Sequence, residues 1–218
     1  DSEEESIPLW KMYAGKEMHG IRISLDSDMF LKYHIPSGRF YGVDVYSKNE
    51  KSSILPIEKI VTKDYLVVPS FNDSEMFFKK VLYVDNPFSE MRDVVQIQDM
   101  GNGEGAMKMN LKKIGLYKRK CWAFQKEHRF TLTILPNIWG DIDINQMPKR
   151  IMQAVYDRIP PKLSFFDLEI NPELLSKMKI TLSPICSEAE KVIVESIVQK
   201  FAPKAIIRES MLKGLINR

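Results

Sequence analysis

A chain of 218 residues, 44% apolar and 28% charged, can bury a core without a metal or disulfide staple and is too hydrophobic for a disordered polymer. A net charge of +3 selects no partner class, no run approaches the roughly 18 apolar residues of a membrane-spanning helix, and no secretory pattern is present. Cys121 and Cys186 stand far apart with no C-x-x-C, which argues against a disulfide framework and for a reducing cytoplasm; with scattered histidines they also argue against zinc.

Acidic Asp1, Glu3, Glu4 and Glu5 read as solvated carboxylates at the positive end of a helix over Leu9–Ala14, with Pro8 in its first turn and Trp10 and Tyr13 as core anchors. His19 before Gly20 is placed to cap that helix. Ile21 to Asp26 alternates and predicts a half-buried strand. Further extended segments are expected at Arg39 to Tyr46, Tyr65 to Pro69 and Lys79 to Val84. Asp99 to Gly105, with three glycines in seven residues, predicts a flexible loop and lacks the flanking elements of a phosphate-binding loop. Phe130 to Leu135 alternates and stops at Pro136, a strand.

Met147-Pro148 opens a helix predicted over roughly Pro148–Arg158, carrying Ile151, Met152, Val155 and Ile159, and Pro160-Pro161 ends it. Phe165 to Ile170 and Ile180 to Ser183 read as strands. Ser187 and Glu190 have capping-box spacing ahead of a helix over Glu188–Phe201, with Val194, Ile197, Val198 and Phe201 as its apolar face. Lys204 to Arg208 then suggests a parallel crossover. The expected fold is a single α+β domain over residues 1–218, with a mixed sheet and flanking helices.

Chemistry concentrates between Leu116 and Phe130. No acid occurs from Gly105 to Lys126, whereas Lys108, Lys112, Lys113, Lys118, Arg119, Lys120 and Lys126 do, with Tyr117, Trp122 and Phe124 interleaved. Cations among stacking rings describe a surface for single-stranded nucleic acid, with Lys112, Lys113, Lys118, Arg119 and Lys120 as its contacts; a solvated basic face is the plain alternative. Gln125 and Glu127, two apart on an expected strand, would share a side. A carboxylate with an amide there suits glycosyl transfer: one group stabilises a sugar cation, the other orients the nucleophile. Arg129 would share the face of Glu127 and hold it, with His128 opposite. No Ser-His-Asp or Cys-His arrangement stands out, and no carboxylate cluster supports a metal-dependent nuclease.

In order, Leu9-Trp10-x-x-Tyr13-Ala14, His19-Gly20-Ile21-Arg22-Ile23, Lys120-x-Trp122-x-x-Gln125-x-Glu127-x-Arg129 and Ile180-Thr181-Leu182-Ser183-Pro184 resemble a bacterial domain family of formally unknown function. Its pattern is similar to L-W-x-H-Y-A, H-x-G-[IV]-x-[IL], W-x-[YF]-E-x-E-x-R and I-x-L-G-P. Met12, Gln125 and Ser183 stand where that pattern has His, Glu and Gly. The family resembles ADP-ribosyltransferases in layout, with a [Gln/Glu]-x-Glu strand as the third element. The first two elements would precede Asp1, so the chain is expected to be the C-terminal portion of a longer protein.

The resemblance implies a cytoplasmic toxin or antiviral-defence effector that takes NAD as substrate and moves ADP-ribose to nucleic acid or protein. Glu127 would be the catalytic carboxylate and Gln125 would place the acceptor. Tyr13, Trp122 and Arg129 would support the NAD site. An antitoxin protein is the implied partner, and no membrane is involved. The competing expectation is a non-catalytic nucleic-acid-binding or regulatory module.

Overall fold

The computed structural model describes residues 4–40, 43–45, 52–68, 74–101, 104–137 and 147–216. The chain divides into a terminal unit, Asp1–Leu31 with Leu168–Arg218, and a central unit, Lys32–Asp167. Both mix helices with short strands, so the fold is α+β. Only one three-stranded sheet forms among the described residues; the other strands pair in twos.

In the terminal unit the first helix spans Ile7–Tyr13, with Pro8 in its opening turn where a missing N–H costs nothing. It ends as the Ala14 N–H donates to the Trp10 carbonyl and Gly15, at φ +79°, turns the chain away. Trp10 is buried, but Tyr13 is 77% exposed and anchors no core. Glu5 is not the solvated carboxylate expected. It accepts hydrogen bonds from Trp10 Nε1, Ser210 Oγ and the Met211 N–H. Burial opposes its charge, but the bonds from Ser210, Met211 and Trp10 and the nearby Arg22 outweigh that and lower its pKa.

Ile21–Ser24 pairs antiparallel with Lys179–Leu182, which pairs parallel with Ile206–Arg208. The parallel pair is joined through the Glu188–Phe201 helix, the crossover that the spacing predicts. That helix opens on a complete capping box between Ser187 and Glu190. Val198 and Ala202 are buried, and Ile180 and Leu182 form the core of the sheet. The apolar face expected on the helix is only half right, because Ile197 and Phe201 are exposed, with Val192 and Ile193 beside them. Phe165 to Ile170 is no strand: Ile170 makes a single bridge to Phe30.

In the central unit two expected strands are broken, each for a stated reason. Lys79 to Val84 becomes Phe78–Lys80 and Leu82–Val84. The first pairs antiparallel with His128–Phe130 and the second parallel with Tyr117–Arg119. Val81 sits at the change of partner, its N–H donating to the Glu127 carbonyl at 2.9 Å. Phe130 to Leu135 divides into His128–Phe130 and Thr133–Pro136. Between them Thr131 turns aside to bond the Phe77 and Met76 carbonyls. Thr133–Pro136 continues against Tyr65–Val68.

Much of the glycine-rich stretch is paired rather than a loop: Val95–Gly101 runs antiparallel to Glu104–Met109, and Asn102 and Gly103 lie outside the described residues. Gly38–Phe40 and Val43–Val45 form the second extended region; Tyr46 and Pro69 lie outside the described residues. The predicted helix appears at Met147–Tyr156, with Ala154 buried and Val155 at the surface. Among the described residues no helix is long and apolar enough to cross a membrane.

Candidate functional site

The stretch singled out by its charge is built on a buried cation. Lys79, 4% exposed, donates through Nζ to the Leu111 and Ile114 carbonyls, both at 2.8 Å. Burial lowers its pKa. Those carbonyls belong to a turn that closes at Gly115, which adopts φ +71° and whose missing Cβ would lie 3.3 Å from Thr131 Cγ2. Only glycine meets both demands cheaply. The Gly115 carbonyl then accepts from Arg129 Nη1 at 3.0 Å, which begins to position the candidate site.

From there the chain runs as the strand Tyr117–Arg119, a 3-10 helix over Lys120–Gln125, and the strand His128–Phe130. Lys126, between the last two, is left-handed at φ +47°. Gln125 and Glu127 therefore do not alternate along one strand, as expected from their spacing. The 3-10 turn replaces the extended backbone that argument required. A single cation brings them together instead. Lys118 Nζ donates to Gln125 Oε1 and, at 2.8 Å, to Glu127 Oε2. Arg129 Nε donates to Glu127 Oε1 at 2.5 Å, as their shared face implied.

The bond from Arg129, and behind it the one from Lys118, overcome partial burial and hold the Glu127 carboxyl down to about 2. It is ionised throughout the physiological range. The Glu127 N–H also donates to Tyr83 Oη at 2.8 Å, fixing the backbone there. Lys118 lies 5.1 Å over the Trp122 ring, and Trp122 and Phe124, 6.0 Å apart, are both exposed. His128 stacks on Phe78, with the ring centroids 5.3 Å apart.

The basic run is balanced by acids outside it. Lys112 pairs with Glu75 at 2.6 Å, Lys113 with Asp93 at 2.7 Å, Lys118 with Glu127 and Lys120 with Asp85 at 2.7 Å. Only Arg119 of the five expected contacts forms no ion pair with a described residue. The charge of these four lysines is balanced within the fold.

Tyr13 belongs to the terminal unit. There it lines a cavity of about 370 Å³ with Trp10, His19 and Ile21. His19 caps no helix, since the helix ends at Tyr13; its Nδ1 lies 2.5 Å from Glu190 Oε1. With Ser183 and Cys186 this pair lines a further cavity of about 250 Å³. The grouping was unreadable in sequence because 171 positions separate His19 from Glu190. It is no activated thiol. Burial first, then the Glu190 charge, push the Cys186 pKa up and keep it protonated. Among the described residues no group of three His, Cys, Asp or Glu could hold a metal. No family model, curated protein or solved structure matches the chain.

Proposed function

We propose that the chain carries the carboxylate of an ADP-ribosyltransferase-like toxin or defence effector that moves ADP-ribose from NAD to a nucleic-acid or protein acceptor. One observation carries the reading: Gln125 and Glu127 converge on Lys118 while Arg129 fixes the other oxygen of Glu127. An ionised carboxylate held in place suits a reaction whose transition state gathers positive charge on a sugar. When the bond between nicotinamide and ribose breaks, its electron pair leaves with nicotinamide and the ribose becomes cationic. Glu127 stabilises that charge.

A carboxylate offers about four lone-pair positions, and the two cations occupy two, which leaves room for a ribose hydroxyl. Exposed Trp122 offers a face on which a nicotinamide or adenine ring can stack. Gln125 orients the acceptor. In a cell such an effector needs a silencing partner, for which an antitoxin protein is the simplest form.

A second reading rests on the same atoms. Both oxygens of Glu127 are already bonded, which is also how a structural brace is built, and the chain would then be a non-catalytic binding or regulatory module. Nicotinamide release by the full-length protein, with NAD and candidate acceptors, separates the two. Transfer should fall by about 100-fold or more in Glu127→Gln, as when one preorganised electrostatic group is deleted. Gln125→Ala should spare slow hydrolysis and reduce transfer, because water needs less positioning than a defined acceptor. Unchanged transfer in Glu127→Gln refutes the catalytic assignment, and no release from any acceptor mixture leaves the binding module.

A further inference from the structure

We infer that the polar face of the three-stranded sheet in the terminal unit binds a phosphoryl group of a small molecule. This site is independent of the transferase reading, whose carboxylate lies in the central unit. Register creates it. Arg22 lies opposite Thr181, and Thr181 opposite Arg208, so two guanidinium groups flank one hydroxyl across three adjacent strands. Two positions along, Ser24 lies opposite Lys179 on the same side. All five line a cavity of about 630 Å³, with Lys177 beside them. That is the size of a small-molecule site, which runs from about 300 to 1,000 Å³.

Arg22 supplies the observation that calls for a ligand. Its Nη2 donates to Thr181 Oγ1 at 3.4 Å, while its Nε is buried and has no acceptor among the described residues. A buried donor without a partner is costly, and on a guanidinium it marks the edge that an oxyanion fills in a two-bond fork.

The acids of the lining do not fill that role. Glu5 is engaged by Trp10, Ser210 and Met211, and acts on Arg22 only through its charge. Glu209 is held by Lys191 and Lys213. Asp26 is the third acid, against four cations: Arg22, Lys177, Lys179 and Arg208. A carboxylate ligand has two oxygens, both engaged by one fork, whereas a phosphoryl group brings a third oxygen and more negative charge for the hydroxyl or the second arginine.

The test is calorimetric titration of the full chain with inorganic pyrophosphate and, separately, with ADP. Saturable binding that weakens with added salt is expected. Arg208→Gln, at an exposed position, should weaken it by about 10-fold, the factor one charged hydrogen bond carries, with the unfolding transition of the variant checked alongside. Arg22→Gln should weaken it at least as much; if that variant fails to unfold cooperatively, Arg208→Gln alone decides. Tighter binding of ADP than of pyrophosphate supports the site and assigns it to an organic nucleotide. Equal or weaker binding of ADP supports it and assigns it to inorganic phosphates. No saturable binding of either probe at millimolar concentration, or binding unchanged in Arg208→Gln, overturns the inference.

Discussion

In the central unit Lys112, Lys113, Lys118 and Lys120 each end against a carboxylate outside the acid-free run, whereas in the terminal unit Arg22 keeps a buried donor with no acceptor among the described residues. The first region is the most conspicuous charge feature of the sequence, and the second is a single arginine inside a four-residue strand. Density of like charge along a chain says little about free charge on a surface, because acids distant in sequence can be brought beside it. What survives folding as unmet demand is set by register and burial. Here a row of Arg, Thr and Arg arises only once three separate segments lie side by side.

The sharpest way to break that contrast is at Lys79, the cation on which the basic stretch is built. Lys79→Met keeps most of the stem but leaves the Leu111 and Ile114 carbonyls without their donor. The loss should be about 3 kcal/mol, at roughly 1–3 kcal/mol for each polar group left unmet, less the desolvation that lysine no longer suffers. Urea unfolding of the full chain measures it. A change under about 0.5 kcal/mol, the level of an ordinary surface substitution, would show that the turn does not depend on this tie.

Next in size is Glu127→Gln, which strands Lys118 and Arg129 together. We expect about 2 kcal/mol at neutral pH, in the range for hydrogen bonds to charged groups. Its pH dependence gives the sign. The folded pKa, about 2, lies below the ordinary 4.5, so the charged form stabilises the fold above pH 4.5 and that contribution is lost as pH falls toward 2. The gap between wild type and Glu127→Gln should therefore be widest at neutral pH and close in acid. A gap independent of pH would mean that the carboxylate's charge is not what holds the cluster.

In the terminal unit the matching change is smaller. Ser187→Ala removes the hydroxyl that accepts from the Glu190 N–H and donates to its carboxylate. A lost N-cap of this kind costs about 1 kcal/mol. The Glu190 carboxyl, held to about 2 first by the Ser187 N–H and hydroxyl and then by His19, should rise part of the way to its ordinary value. Carbon-detected NMR titration of Glu190 reads that directly, and an unmoved pKa would assign the shift to the backbone N–H and His19 alone.

Local signals were legible in proportion to how local their causes are. The capping box fixed the start of the Glu188–Phe201 helix, and its end also agreed, because cap and helix share one short segment. Strand positions were readable at Ile21–Ser24 and Tyr65–Val68, but Val81 and Thr131 were not visible as breaks. Each is a point where the backbone changes partner, and partners come from elsewhere in the chain. The same limit governs the sites. The bond between Arg129 and Glu127 followed from a spacing of two. The meeting of Gln125 and Glu127 was reached by the wrong geometry, since an alternating strand was assumed where a 3-10 turn and a left-handed Lys126 stand. Arg22 was legible only as a polar position in an alternating strand, with nothing local to mark it as part of a site.

The smallest effect is also the most direct test of the charge comparison. If Lys118, Arg119 and Lys120 were all free, converting them to alanine would flatten the salt dependence of single-stranded oligonucleotide binding by about 2 log–log units, at roughly 0.7 per phosphate contact. Lys118 and Lys120 already neutralise Glu127 and Asp85, so engaging a phosphate would expose those carboxylates to it. Of the three, only Arg119 gives up no ion pair with a described residue. The triple substitution should therefore flatten the slope by about 0.7, and Arg119→Ala alone should give the same value. Fluorescence polarisation of a labelled oligonucleotide over a potassium chloride series measures both. A triple-variant change near 2 would mean that Glu127 and Asp85 release their lysines to a polyanion. The acid-free run would then be a nucleic-acid surface after all, with its ion pairs only a resting state, exposed and weak enough at Lys120–Asp85 to exchange for phosphate.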